Sequence, residues 1–253
     1  MSDGANIVYR YDGSYQGFLC CVARCCNERR LPQAIQLLDE PQGTLFDVRV
    51  IDTQPHLAQQ VERSVKERIS PQVRDMLRRG YLTCMEEKEL RLIRFLLLGY
   101  RHGAKVTELS VNEDVHAIDK ALLYLKNEAH YCVEFLRFTD CGNFLAATLT
   151  PNNRVLPVIV GHFTQRFNTE NFLIYDKTHG MVFLHETGAQ SRGLFFLTDS
   201  LELPEAGAEE RRYQDLWRRF YDTIAVEGRI NPQLRRGNMP MRYWPNMTEF
   251  QPA

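Results

Sequence analysis

Phe172-Leu173-Ile174-Tyr175-Asp176-Lys177-Thr178-His179-Gly180-Met181-Val182-Phe183-Leu184-His185 places two β-prone runs, Phe172 to Tyr175 and Met181 to His185, on either side of a turn built from Asp176 to Gly180. Aromatic and β-branched residues around an Asp- and Gly-containing loop predict a hairpin. Just upstream, Leu156 to Phe167 has the apolar spacing of a helix, with Pro157 in the first turn where a missing N–H costs nothing. Further upstream, Tyr131 to Phe138 and Phe144 to Leu149 are two more β-rich runs. They flank Asp140-Cys141-Gly142-Asn143, where Gly142 can take the positive φ of a tight turn. Hairpin, helix, hairpin predicts a small mixed β-sheet packed against several helices, an α+β fold.

Toward the N-terminus the texture is helical. Ile7 to Tyr11 reads as a short strand, and Asp12-Gly13-Ser14 as a turn that can cap a helix over Tyr15 to Asn27. A second strand is expected near Leu45 to Ile51. Leu57, Val61, Val65 and Ile69 then recur every four residues, one stripe of an amphipathic helix that Pro71 should stop. Residues 72–101 read as two further helices ending at Gly103, and Ser110-Val111-Asn112-Glu113 has capping-box spacing ahead of Val115, Ile118, Leu122 and Leu125. The expected organisation is a core over 1–203, helical over about 53–130 and β-rich over about 131–200. Pro204 to Gly207 is a linker into a helical C-terminal segment, 204–253, packed on the same domain.

The C-terminal segment has the cleanest periodicity. On a helical wheel Tyr213, Leu216, Trp217, Phe220, Tyr221 and Ile224 fill one face; Arg211, Arg212, Asp215, Arg218, Arg219 and Asp222 fill the other. Arg211–Asp215, Asp215–Arg219 and Arg218–Asp222 are spaced to pair, so these arginines read as a self-neutralised, solvated face rather than a phosphate site. The tail from Ile230 to Met247 is different, because Arg235, Arg236 and Arg242 meet no acid before Glu249 and alternate with Tyr243 and Trp244. Cations beside rings suit phosphates and bases, which makes Arg235, Arg236, Arg242, Tyr243 and Trp244 the candidate nucleic-acid-binding set; packing is the other use of such rings.

Charge sets the limits of that reading. Thirty-one basic residues against 32 acidic ones give a net charge of −1, which excludes a generally cationic nucleic-acid coat and leaves room for a local basic face. Arginine supplies 25 of the 31, a bias that codon usage can also produce. Apolar residues make up 44%, enough for a substantial core without staples. Met1-Ser2-Asp3-Gly4 has no basic or apolar leader character, and the apolar run Phe95 to Leu98 is far too short to span a bilayer. A cytoplasmic protein with no membrane contact is expected.

Four cysteines, Cys20, Cys21, Cys25 and Cys26, crowd one predicted helix. Structural zinc draws C-x₂₋₄-C pairs from two separate segments and the usual cluster motif is C-x₂-C-x₂-C, neither of which is present, so these four read as buried, inert thiols rather than metal ligands. No metal and no cofactor are expected in this chain. His130, His162, His179 and His185 are candidate acid–base groups, with Glu128, Asp176 and Glu186 as possible partners. His162 and Arg166 lie one helical turn apart and can face an anion together, or pack beside Phe163 and Phe167. His179, in a turn, should face solvent. The phosphate-binding patterns G-x-x-x-x-G-K-[ST] and G-x-G-x-x-G are missing, as are the hydrolase patterns G-x-S-x-G and H-E-x-x-H.

Several segments together carry a resemblance: Tyr11-Asp12-Gly13-Ser14-Tyr15-Gln16-Gly17-Phe18-Leu19-Cys20-Cys21; Leu156-Pro157 with His162-Phe163 and Arg166-Phe167; Ile174-Tyr175-Asp176. Leu216-Trp217, Ile224-Ala225, Asn231-Pro232 and Met239-Pro240 with Arg242-Tyr243-Trp244 extend it. The chain resembles the bacterial DUF4130 family, also described as DNA metabolism or DNA repair proteins, along nearly its whole length. The resemblance implies a gene partnership with a radical S-adenosylmethionine protein of DNA modification or repair. S-adenosylmethionine and an iron–sulfur cluster would belong to that partner. Where the family pattern has an Arg after the histidine at His130 and Gly-Phe before Arg-Phe, this chain has Tyr131 and Phe135-Leu136, and keeps Arg137-Phe138.

Three functions follow as expectations. The first is an accessory protein of DNA metabolism or repair that acts with the radical enzyme and contacts DNA. The second is an enzyme on DNA bases or backbone, glycosylase- or nuclease-like, using His162, Arg166 and Asp176. The third is a metal or cluster protein built on the clustered cysteines. The first needs only surfaces that the sequence displays, whereas the second needs a catalytic constellation that it does not.

Overall fold

The computed structural model describes residues 2–40, 43, 45–188, 192–224 and 231–251. Ile230 and Ala225, which the sequence reading uses, lie outside the described residues. The chain forms two compact units, Met1–Leu125 and Lys126–Ala253, and the fold is α+β, as expected.

The first unit holds strands β1 (Ser2–Tyr11), β2 (Arg30–Leu37) and β3 (Asp47–Val50) in a parallel sheet ordered β2-β1-β3. Helix α1 (Tyr15–Glu28) carries the chain from β1 to β2. The Tyr11–Gly17 motif is a device for starting that helix. Ser14 caps it by accepting the Gly17 N–H at 2.9 Å, while Asp12 accepts the Ser14 N–H and hydroxyl and the Thr53 hydroxyl. Gly17 must lack a side chain, because a Cβ there would stand 2.3 Å from the Asp12 carboxylate. Strand β2 was not expected, since Arg30 to Gln33 is polar and contains Pro32; β2 lies at a sheet edge, where a proline costs no ladder bond.

Helices α2 (Pro55–Arg68), α3 (Pro71–Tyr81) and α4 (Lys88–His102) follow, then a 3-10 turn over Gly103–Glu108. Pro71 both ends the apolar stripe and opens α3, which Ser70 caps through the Val73 N–H at 3.1 Å. Val65, Val73, Leu77, Ile93 and Phe95 from these helices, with Ile69 just past the end of α2, join Phe18, Leu19 and Cys21 of α1 in one core.

Helix α5 (Glu113–Phe135) corrects two expectations. Its cap is Asn112, whose side chain accepts the N–H groups of Asp114 and Val115, so Ser110 does not close a capping box. It also runs through the segment Tyr131 to Phe135 expected as strand. The reason is periodicity: Leu125, Ala129 and Cys132 bury one helical face, and Tyr131 and Phe135, one turn apart, stack at 6.0 Å.

The second unit is a five-stranded mixed sheet ordered β4-β5-β6-β7-β8. Its strands are β4 (Thr139–Asp140), β5 (Leu145–Leu149), β6 (Phe172–Asp176), β7 (Met181–Glu186) and β8 (Arg192–Leu197). The expected first hairpin shrinks to the two-residue β4 against β5, with Gly142 at φ 89°. Helix α6 (Leu156–Arg166) crosses from β5 to the parallel β6, and the second hairpin forms as expected, Tyr175 opposite Val182. Gly180 turns it at φ 60°. Phe138 meets Phe163, Phe167 and Phe172 edge to face at 5.4, 5.0 and 5.9 Å, which ties α6 to the sheet. Helices α7 (Ala208–Ile224) and α8 (Pro232–Asn238) and 3-10 turns at Met241–Asn246 and Thr248–Phe250 complete the unit. Among the described residues no helix is long and apolar enough to cross a membrane.

Candidate functional site

Glu128 sits on α5 at 3% exposure and gathers donors from two distant segments. Its carboxylate accepts the N–H groups of Asn152 and Asn153 at 2.9 and 2.7 Å and the Asn153 amide at 2.6 Å. The Tyr243 hydroxyl at 3.3 Å and the Arg242 guanidinium at 2.9 Å complete the set. A buried carboxylate is tolerable when every lone pair is engaged, and this one thereby fastens the β5–α6 loop and the C-terminal turn to α5. Cys132, one turn along, lies in the same field. Burial first, and the charges of Glu128 and Asp176 next, push its thiol up to about 12.

This arrangement corrects the view of Arg242 as a cation without an acidic partner. Its partner comes from α5, far upstream in sequence, and its guanidinium also lies 4.9 Å over the buried Tyr243 ring. Trp244 stacks on Phe250 at 4.5 Å and donates its indole N–H to the Met239 carbonyl, while Arg235 covers both rings at 5.4 and 5.6 Å. Arg236 stands exposed on α8. The candidate set is thus spread over a packed knot, with Arg236 facing solvent.

The second candidate set, His162, Arg166 and Asp176, is divided by burial. Asp176 is fully enclosed and spends its oxygens on its own turn, accepting the N–H groups of Thr178 and His179 and pairing with His179 Nδ1 at 2.7 Å. His179 is consequently mostly buried, at 16% side-chain exposure, and not solvent-facing as expected. His162 and Arg166 are exposed on α6, His162 edge-on to Phe163 at 5.1 Å. His185 is buried in packing, stacked on Phe172 at 4.8 Å with Nδ1 3.2 Å from the Glu170 carbonyl. His130 pairs with Glu134 at 3.2 Å.

Arg166 does reach a concave surface. A groove of about 470 Å³ in the second unit is lined by Arg137, Phe138, Arg166, Phe167, Tyr213 and Trp217, with one acidic residue, Glu210, also in the lining. Arg137 is held by Glu249 at 2.7 Å, and the Trp217 indole N–H donates to the same carboxylate at 3.2 Å. Burial alone would push the Glu249 carboxyl up; the hydrogen bonds from Arg137 and Trp217 outweigh it and hold the group below the usual range. Arg166 lies 5.7 Å from the Phe167 ring and has no ion pair among the described residues. Sequence reasoning missed Arg137, Phe138, Tyr213 and Trp217 as companions of Arg166 because the groove draws on three separate segments, the stretch after α5, α6 and α7. The retained Arg137-Phe138 pair was the available signal.

Helix α7 differs from expectation in its charges and leaves its apolar row uncovered. Arg218 pairs backward with Asp215 and donates to the Thr248 carbonyl, and Arg211 donates to the Ala206 carbonyl, so the expected ladder of i,i+4 pairs is not what forms. Tyr213, Leu216, Trp217, Phe220 and Ile224 are all exposed.

Of the clustered cysteines, Cys20, Cys21 and Cys25 are buried and Cys26 is exposed. Cys20 Sγ sits against the Gln54 backbone, and burial, then Cys26, pushes the Cys25 thiol up to about 12. Among the described residues no three His, Cys, Asp or Glu side chains are placed to hold one metal ion.

Fold and site together define an α+β protein whose buried charges are spent on architecture and whose second unit opens an aromatic groove with an arginine that has no ion pair among the described residues. Within that class the chain belongs to the DUF4130 family: the family model, described as a domain of unknown function, matches residues 86–249. No curated protein and no solved structure matches the chain.

Proposed function

We propose that the protein is a cytoplasmic accessory of DNA metabolism or repair that works with a radical S-adenosylmethionine enzyme and touches DNA through the groove of its second unit. One observation carries the reading: Arg166 has no ion pair among the described residues and shares that groove with the exposed rings of Tyr213 and Trp217. A guanidinium for phosphate beside faces for bases is the chemistry of single-strand contact, where each stacked base contributes about 1–3 kcal/mol. The apolar rows left open on α7 suit a protein partner, and S-adenosylmethionine and the iron–sulfur cluster belong to that partner. A hydrolytic role would require His162, Arg166 and Asp176 to face one substrate, and Asp176 is enclosed in its own turn.

Fluorescence anisotropy with a labelled single-stranded oligonucleotide tests the DNA contact. Binding should weaken as salt rises, and Arg166→Ala and Trp217→Ala should each cost about 1–3 kcal/mol. Binding that is absent or indifferent to salt removes this part. Co-purification tests the other part: the radical enzyme should be retained by the wild-type chain and released by Phe220→Glu, and failure of the wild type to retain it ends the accessory reading.

A further inference from the structure

The first unit contains a cavity of about 650 Å³ between α1, α2 and α4, within the range of roughly 300–1,000 Å³ typical of small-molecule sites. It belongs to a different unit from the groove described above, and its chemistry is different. Its apolar wall is made by Val22 and Ala23 of α1, Leu57 and Val61 of α2, and Leu97 of α4. These residues come from the inner faces of helices whose other side chains build the core, so the wall is fixed by packing.

The polar lining is one-sided in charge. Arg29 and Arg68 both contribute, neither has an ion pair among the described residues, and no acidic side chain lines the cavity. Arg29 is placed by the backbone: as the residue that ends α1 it adopts φ 53°, a conformation disfavoured for a residue with a Cβ. Arg68 ends α2 and lies 5.8 Å over the Tyr100 ring, whose hydroxyl donates to Ser64 at 3.0 Å. Both arginines are exposed residues at the rim of the cavity, and with no acid in its lining their planar forks can take phosphate or carboxylate oxygens there. Asn27 and Gln60 add side-chain amides, each able to donate and accept along the edge of a heterocycle.

We infer that this cavity binds a mononucleotide, its phosphate between Arg29 and Arg68, its base against the apolar wall and within reach of the Asn27 and Gln60 amides. A bare anion would leave the apolar wall unused, and an uncharged heterocycle would leave the arginines unused. Only a ligand with both ends engages the whole lining. The inference stands independently of the DNA groove, which belongs to the other unit.

Calorimetric titration of the full chain with a deoxynucleoside 5′-monophosphate, the matching nucleoside and inorganic phosphate tests it. The monophosphate should bind saturably, and each fragment at least about tenfold more weakly, the loss expected when a charge-assisted contact is removed. Arg68→Ala and Arg29→Asn should weaken the monophosphate by about the same factor. Gln60→Trp, a change at an exposed lining position, should block the cavity and abolish binding while the thermal unfolding curve stays in place. Arg166→Ala should leave mononucleotide binding unchanged. Absence of saturable binding, phosphate binding as tightly as the nucleotide, indifference to the Arg68 and Gln60 changes, or loss on Arg166→Ala would each overturn the assignment.

Discussion

Glu128 shows how much a single side chain can organise. It accepts from Asn152, Asn153 and Tyr243 and pairs with Arg242, so its removal orphans several groups at once. Glu128→Ala should lower unfolding stability by about 3–5 kcal/mol, the cost typical of breaking a buried ion pair on one side. Arg242→Ala should cost less, since that side chain is 39% exposed and the carboxylate keeps its other donors. Urea denaturation of the two variants measures the difference; equal, small effects would mean that the knot contributes little. None of this was legible in the sequence, where Glu128 was only one possible acidic partner and Arg242 lacked an acid nearby. Pairings between residues so far apart along the chain leave no local pattern. The same holds for His179, whose polarity and turn placement suggested solvent until Asp176 folded against it.

Among the elements, the β6–β7 hairpin was the most legible and is also the most tightly specified. Gly180 adopts φ 60°, and a Cβ there would stand 2.5 Å from the Thr198 carbonyl oxygen, which belongs to the chain leaving β8. Gly180→Ala should therefore destabilise by about 1–3 kcal/mol through backbone strain and collision together. Gly142→Ala, also at positive φ but with open space around its Cβ, should cost less. Thermal melting of the pair separates the two causes; identical losses would assign both to φ alone. The helices α2, α3 and α6 were readable because apolar period and proline placement agree, and α4 from its apolar content and the Gly103 that follows it. Strands β2 and β8 were not, because edge strands carry little of the alternation that marks a half-buried strand. Residues 131–135 went wrong for a related reason: aromatic and β-branched residues favour strands, but one turn of burial per α5 repeat overrode that preference.

At the level of the whole molecule, the α+β architecture follows from the hairpin–helix–hairpin order, and the groove does not, since its walls come from α6, α7 and the segment after α5. Charge behaves in the same way: a net of −1 conceals several carboxylates held below their usual range. In Asp12, Glu62 and Glu249 hydrogen bonds outweigh any burial penalty, from Ser14 and Thr53, from Arg78, and from Arg137 and Trp217 respectively. Each depressed group favours the folded state above its unfolded value near 4, and that contribution disappears as pH falls through the lower folded value. Stability should therefore decline in acid from about pH 5 downward, with Asp119 opposing it slightly because burial raises its carboxyl. Urea midpoints at neutral and acidic pH check the sign; a midpoint that rises on acidification would refute it. Strand β8 has one more consequence. Every residue of Arg192–Leu197 is exposed, the run Leu194-Phe195-Phe196-Leu197 carries no charge, and among the described residues one edge of the strand has no neighbour in the sheet. Two copies meeting at that rim can continue each other's sheet, so the purified chain should aggregate as its concentration rises, and light scattering that stays independent of concentration would refute this.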